Sequence, residues 1–175
     1  MVAGTQGLEV VRKGATDEDE PLHVKGIDVQ LGGQVDGATG DSSGTTRLVD
    51  KNGELVAASG SIKLDLMRIV DDPGSIDEQL LNTPFDAAIV IPDRPLAALP
   101  PQFQVPSLTG VIGGRINVAG TLAKPTIGGT AHVRSLAAIG SRLVVPIDVE
   151  AVARYEPSDG QAGGTVEVKQ AGRRV

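Results

Sequence analysis

A period-two alternation of aliphatic and polar residues returns along most of the chain and constrains its fold more than any other feature. Ile112, Ile116 and Val118 alternate with Arg115 and Asn117, and Ile127, Ala131 and Val133 alternate with His132 and Arg134. The longest run sets Leu143, Val145, Ile147, Val149, Ala151 and Ala153 against Arg142, Asp148, Glu150 and Arg154. Shorter runs are Ile62, Leu64 and Leu66 with Lys63 and Asp65 between them, and Phe85, Ala87, Ile89 and Ile91. Successive side chains of an extended segment point to opposite faces, so each run predicts a half-buried strand with one apolar face. About nine strands are expected, which at about 4.8 Å per strand make a sheet about 43 Å wide. The chain reads as all-β.

Glycines punctuate the runs. Leu22 and Val24 are in one phase and Ile27, Val29 and Leu31 in the other, a slip at Gly26 that predicts a bulge. Asp50-Lys51-Asn52-Gly53 predicts one hairpin and Pro157-Ser158-Asp159-Gly160 another, each with glycine where positive φ is needed. Helix is expected in two places only. Ser75-Ile76-Asp77-Glu78 has capping-box spacing ahead of a short helix to Leu81, and Pro95 to Leu99 allows one turn before Pro100 stops it. Residues 1–21, with the acidic run Asp17 to Glu20, read as a flexible lead; 22–170 read as the sheet and 171–175 as a mobile tail.

Composition narrows the function. Hydrophobic residues make up 40% of the chain, yet Phe85, Phe103 and Tyr155 are its only aromatics. Platforms that stack bases or sugars on aromatic rings are therefore disfavoured, and a formal charge of −6 argues against a grip on phosphate backbones. There is no cysteine for a disulfide, a thiolate nucleophile or a zinc knuckle. Residues 1–14 lack the apolar core of a signal peptide, and the uncharged stretch from Pro95 to Gly114 is too broken by prolines for a membrane helix. As given, the chain reads as soluble; if it belongs to a secreted or membrane-anchored protein, the targeting segment is expected outside it.

Catalytic constellations fail in turn. His23 and His132 fall on polar strand faces with no acidic or histidine partner at ligand spacing. Asp71-Asp72 ahead of Pro73-Gly74 reads as a turn rather than an acid/base pair. Gly120-Thr121-Leu122-Ala123-Lys124-Pro125 lacks the second glycine of a phosphate loop and has proline where a helix must start. No enzyme activity, cofactor or metal is expected.

The stretch from Gly110 to Gly129 is informative in another way. Its Gly120-Thr121-Leu122, two variable residues, Pro125 and then Ile127-Gly128-Gly129 resemble the recurrent motif of the TamB family, the AsmA-like inner-membrane component of the translocation and assembly module. Arg47 to Leu55, and Thr83-Pro84-Phe85 through Asp93 to Pro100, are similar to the same family, and the likeness covers roughly Leu22 to Val152. One full copy of the core motif occurs, where the family usually has several, and the family's N-terminal membrane helix is missing. The chain is therefore expected to be a segment of a longer protein.

The resemblance implies an extended curled sheet, a β-taco whose apolar inner face is a groove for phospholipid acyl chains. It implies a periplasmic location within an inner-membrane-anchored protein of a diderm bacterium. The implied role is phospholipid transport in outer-membrane biogenesis, with a TamA/BamA-type barrel as the full-length protein's partner. An alternative is chaperone-like assistance to insertion of outer-membrane β-barrels and autotransporters, the sheet engaging nascent strands. A third idea is a purely structural or adhesive β-solenoid, and periodicity alone leaves open that the apolar face is simply the closed core of a β-sandwich. The inner-face candidates are Ile62, Leu64 and Leu66; Ile89 and Ile91; Ile112, Ile116 and Val118; Ile127 and Val133; and Val145, Ile147 and Val149.

Overall fold

Alternating strands joined by short turns pair with their sequence neighbours, and here every strand does so. The computed structural model describes residues 2–10, 22–138, 140, 145–157, 160–170 and 172–175, with side chains from Ile27 onward except Gln102. The strands are β1 (Val2–Val10), β2 (Leu22–Val35), β3 (Asp41–Asp50), β4 (Gly53–Lys63), β5 (Phe85–Pro95), β6 (Leu108–Thr121), β7 (Lys124–Ala138), β8 (Ile147–Glu156), β9 (Gln161–Gln170) and β10 (Arg173–Arg174). They form one ten-stranded sheet in sequence order, an antiparallel meander that is open and curled. Two helices, α1 (Leu66–Asp71) and α2 (Ser75–Asn82), are inserted between β4 and β5.

Among the described residues no second layer covers this sheet. Among the described residues Ile27, 3% exposed, is the only buried hydrophobic side chain. A β-sandwich of this length would bury two interdigitated inner faces, so the closed-core possibility is set aside.

Turn chemistry agrees with the sequence. Asn52 donates its backbone N–H to Asp50 Oδ1 at 2.7 Å, and Gly53 has φ 110° at the β3–β4 hairpin. The slip at Gly26 is real: Gln6 pairs with Asp28 but Leu8 with Val24, so three residues of β2 oppose one of β1. Leu96–Ala98 makes the short turn expected after Pro95, and Pro101–Phe103 adds a second.

Five expectations are corrected. Val2–Val10 is a strand rather than a flexible lead; Gly4 and Gly7 dilute its alternation, and pairing along β2 settles its conformation. The tail is not free either, because Gly172, with φ 75°, turns Arg173–Arg174 back onto β9. Leu64 and Leu66 do not continue β4. The Asp65 side chain accepts the Arg68 N–H at 3.0 Å and caps α1, a local bond that overrides the alternation. Val145 lies outside β8 because Pro146 has no N–H to give the ladder, and the strand opens at Ile147. Finally, Ser75 is the first residue of α2 and Gly74 its cap. The Ser75 hydroxyl donates to the Asp72 carbonyl at 2.7 Å, and Glu78 pairs with Arg68 at 2.6 Å instead of closing a capping box. The acidic run Asp17 to Glu20, Arg142, Leu143, Ser158, Asp159 and the His23 side chain lie outside what is described.

Candidate apolar groove

Register decides which side chains share a face. Ile62 stands opposite Phe85, Ile89 opposite Ile116, Val118 opposite Ile127, and Ile112 opposite Val133, which is itself opposite Val149. Ile91 lies on this face across from Gly114, and Ile147 across from Leu136. The strand-borne candidates therefore converge on one surface, whereas Leu64, Leu66 and Val145 are placed off the sheet. The surface is wet. Ile89, Ile116 and Ile127 are 36–39% exposed although each is paired on both sides, and Ile91, paired with β6, is 38% exposed.

The opposite face carries Arg47, Arg115, Asn117, Thr130, Arg154 and Thr165, placed by the same register. His132 is there too, and its ring nitrogen Nε2 lies 2.8 Å from Asp93 Oδ1, while Arg134 holds the other Asp93 oxygen at 2.8 Å. Spacing along the sequence could not reveal this partner, because residues 93 and 132 meet across β5, β6 and β7. The sheet is thus amphipathic in cross-section, greasy on one side and hydrated on the other.

Each rim has its own furniture. At one rim the Leu96–Ala98 turn packs on β6. It is tied to the β3–β4 hairpin by Asn52 Nδ2, which donates to the Ala98 carbonyl at 3.0 Å, and is stiffened by Gln104 Nε2 donating to Leu99 and Ala97. Beneath it Arg94 donates two hydrogen bonds to Asp50, at 2.8 and 3.1 Å, with side chains 8% and 5% exposed. Burial would raise the Asp50 pKa, but hydrogen bonds from Arg94 and the Asn52 N–H, with the charges of Arg94 and Lys51, hold it below the usual carboxylate value.

This pair was invisible to the alternation. Ile91 and Arg94 are three apart, so a regular strand would put them on opposite faces. The register shift between them turns Arg94 onto the apolar side, in line with Ile112.

At the other rim α2 clamps the turn between β6 and β7, with the Ala123 N–H donating to the Leu81 carbonyl at 3.0 Å. A recess of about 510 Å³ opens there on the apolar face, where Val35, Ile62, Phe85, Ala87 and Leu122 line it together with glycines, serines, Gln34 and Asp86. The motif residues build this rim. Gly120, at φ 99°, faces Pro125, the Thr121 hydroxyl accepts the Lys124 N–H at 3.1 Å, and Gly129 lies under Ile116. A Cβ on Gly120 would meet the Lys124 carbonyl oxygen at 2.7 Å. Gly120→Ala is expected to lower stability by about 1–3 kcal/mol through positive-φ strain and this clash, read as a drop in urea midpoint at unchanged slope. A midpoint equal to the parent's would refute the role of that turn.

Among the described residues no group of three or more His, Asp or Glu could hold a metal ion, and no helix is long and apolar enough to cross a membrane. No family model, curated protein or solved structure matches the chain.

Proposed function

We propose that the chain is a lipid-conducting segment of a TamB-like protein, its apolar face a groove along which phospholipid acyl chains travel toward the outer membrane. The observation that carries this reading is the uncovered face: isoleucines in mid-sheet positions stay more than a third exposed where the chain could have folded something over them. An acyl chain resists water by about 0.8 kcal/mol per CH₂, so about sixteen carbons carry on the order of 13 kcal/mol of exposure penalty. A continuous aliphatic surface removes most of that while the polar head remains in solvent. The scarcity of aromatic residues suits the task, since flexible aliphatic walls conform to mobile chains. The Gly120-Thr121-Leu122 to Pro125 likeness supports the same assignment, and with it a periplasmic location inside a longer, membrane-anchored protein working with a barrel partner.

Mass spectrometry of material bound to the purified chain tests this. Phospholipid at near-stoichiometric amounts is expected, and photo-crosslinks from position 89 or 116 should reach lipid. Lipid-free protein would sink the proposal, and crosslinks to unfolded polypeptide instead would favour the alternative, a chaperone for outer-membrane β-barrels and autotransporters.

A further inference from the structure

Neighbouring strands are not equally joined. The ladder between β4 and β5 runs only from the Ala57 and Val90 pair to the Ile62 and Phe85 pair, the shortest between neighbours from β1 to β9. Beyond Ala57 and Val90 both strands continue but fork: residues 53–56 stay on β3 and residues 91–95 on β6. Side chains add little along this seam. Ser59 faces Ala88, Gly60 faces Ala87 and Ala58 faces Ile89, whereas on the next ladder Ile89 faces Ile116. Small cross-strand pairs contribute less than large ones.

Other links across the seam lie at its two ends. At the forked end, among the described residues, Arg94 of β5 holds Asp50 of β3 by two hydrogen bonds, and Asn52 Nδ2 holds the Ala98 carbonyl. At the other end the α1–α2 insert is tied to both halves of the sheet. The Leu64 N–H donates to the Gly40 carbonyl of the β2–β3 turn at 3.0 Å, and the Leu81 carbonyl accepts the Ala123 N–H of the β6–β7 turn. Between these ties Gln79, which is buried, accepts the Asp65 N–H at 2.8 Å and donates to the Asp65 carbonyl at 3.2 Å.

We propose that the β4–β5 seam is a hinge between two halves of the sheet, β1–β4 and β5–β10, and that the Asp50–Arg94 pair is its latch. Local opening starts where a fold has the fewest bonds and the least packing, and a short ladder of small residues is such a place. The halves themselves are well joined, β6 and β7 by the longest ladder of all. Opening the seam turns one half of the apolar face against the other and changes the curl of the sheet. The fork suits a latch. A buried ion pair is costly to break when one charge stays behind, and here both partners reach solvent together as the rim parts. The hinge stands independently of what the apolar face carries.

Hydrogen–deuterium exchange read by mass spectrometry tests it. In the parent, amides bonded across the seam should exchange at least about tenfold faster than those between β6 and β7, at a rate that dilute urea hardly changes, the mark of a local opening that exposes little surface. Arg94→Met should speed the seam amides by at least about tenfold more, because the latch is broken in the open form. The chain has no cysteine, so Ser59→Cys with Ala88→Cys supplies a lock: directly opposed Cα atoms lie about 4.5–5.5 Å apart, within disulfide reach. Oxidising that variant should slow its seam amides at least about tenfold against the reduced form. Seam amides as slow as those between β6 and β7, or unmoved by the lock, would overturn the hinge. Seam exchange unaltered by Arg94→Met would overturn the latch. If Arg94→Met fails to fold, Asp50→Asn with Arg94→Met, which also lacks the pair, takes its place under the same criterion.

Discussion

Ile116→Asp is expected to leave the sheet folded and to abolish lipid capture. Ile116 lies at the centre of the apolar face between Ile89 and Gly129, 39% exposed. A carboxylate there keeps contact with water, so the loss of stability should stay near 1–2 kcal/mol, the range for giving up part of an aliphatic side chain's burial. An acyl chain laid over the same spot would strip that water, and an unpaired charge against hydrocarbon costs at least about 3 kcal/mol, or more than a hundredfold in affinity. The measurement is co-purified lipid per chain beside a urea melt of the same preparation. Thr130→Asp, on the hydrated face one residue along from Gly129, is the control and should change neither. Unfolding by Ile116→Asp would mean that this face is a closed core and would defeat the groove reading.

The largest stability effect is expected at Arg94. Arg94→Met strips a bidentate partner from Asp50 and leaves a carboxylate buried at 5% exposure, which typically costs about 3–5 kcal/mol. Asp50→Asn combined with Arg94→Met removes the stranded charge but keeps an acceptor for the Asn52 N–H, and should recover at least half the loss.

Acid gives a second readout. The Asp50 pKa is lowered in the folded protein, so its contribution is fully present above the unfolded value of about 4 and is lost as pH falls through the lowered folded value. The parent should therefore weaken below about pH 4. In Arg94→Met the hydrogen bonds and charge of Arg94 are gone, leaving burial set against the Asn52 N–H and the Lys51 charge, so the acid-dependent loss at this site should shrink. A loss below about 1 kcal/mol for Arg94→Met would show the pair to be dispensable for the fold.

How much was legible can be read from particular residues. Alternation alone put Ile112, Ile116, Val118, Ile127, Val133 and Val149 on one face, because each lies in a stretch between register shifts where period two survives. Leu64, Leu66 and Val145 were misplaced because a cap at Asp65 and a proline at 146 ended strands that hydrophobicity alone would have extended. The Asp50–Arg94 pair and the Asp93–His132 contact were missed for a different reason. The first needs a bulge that reverses side-chain direction, the second a register spanning about forty residues, and neither leaves a local mark.

The amino-acid sequence by itself determined that this protein is all-β with one aliphatic face, since strand periodicity and turn residues are local properties of the chain. It also placed the hairpins and the one-turn segment after Pro95. Only the tertiary structure decided that the face stays open, because alternation records that a surface is apolar and carries no information about what lies above it. Pairing each strand with its sequence neighbour put all the described strands into a single layer, and among the described residues no second sheet covers it.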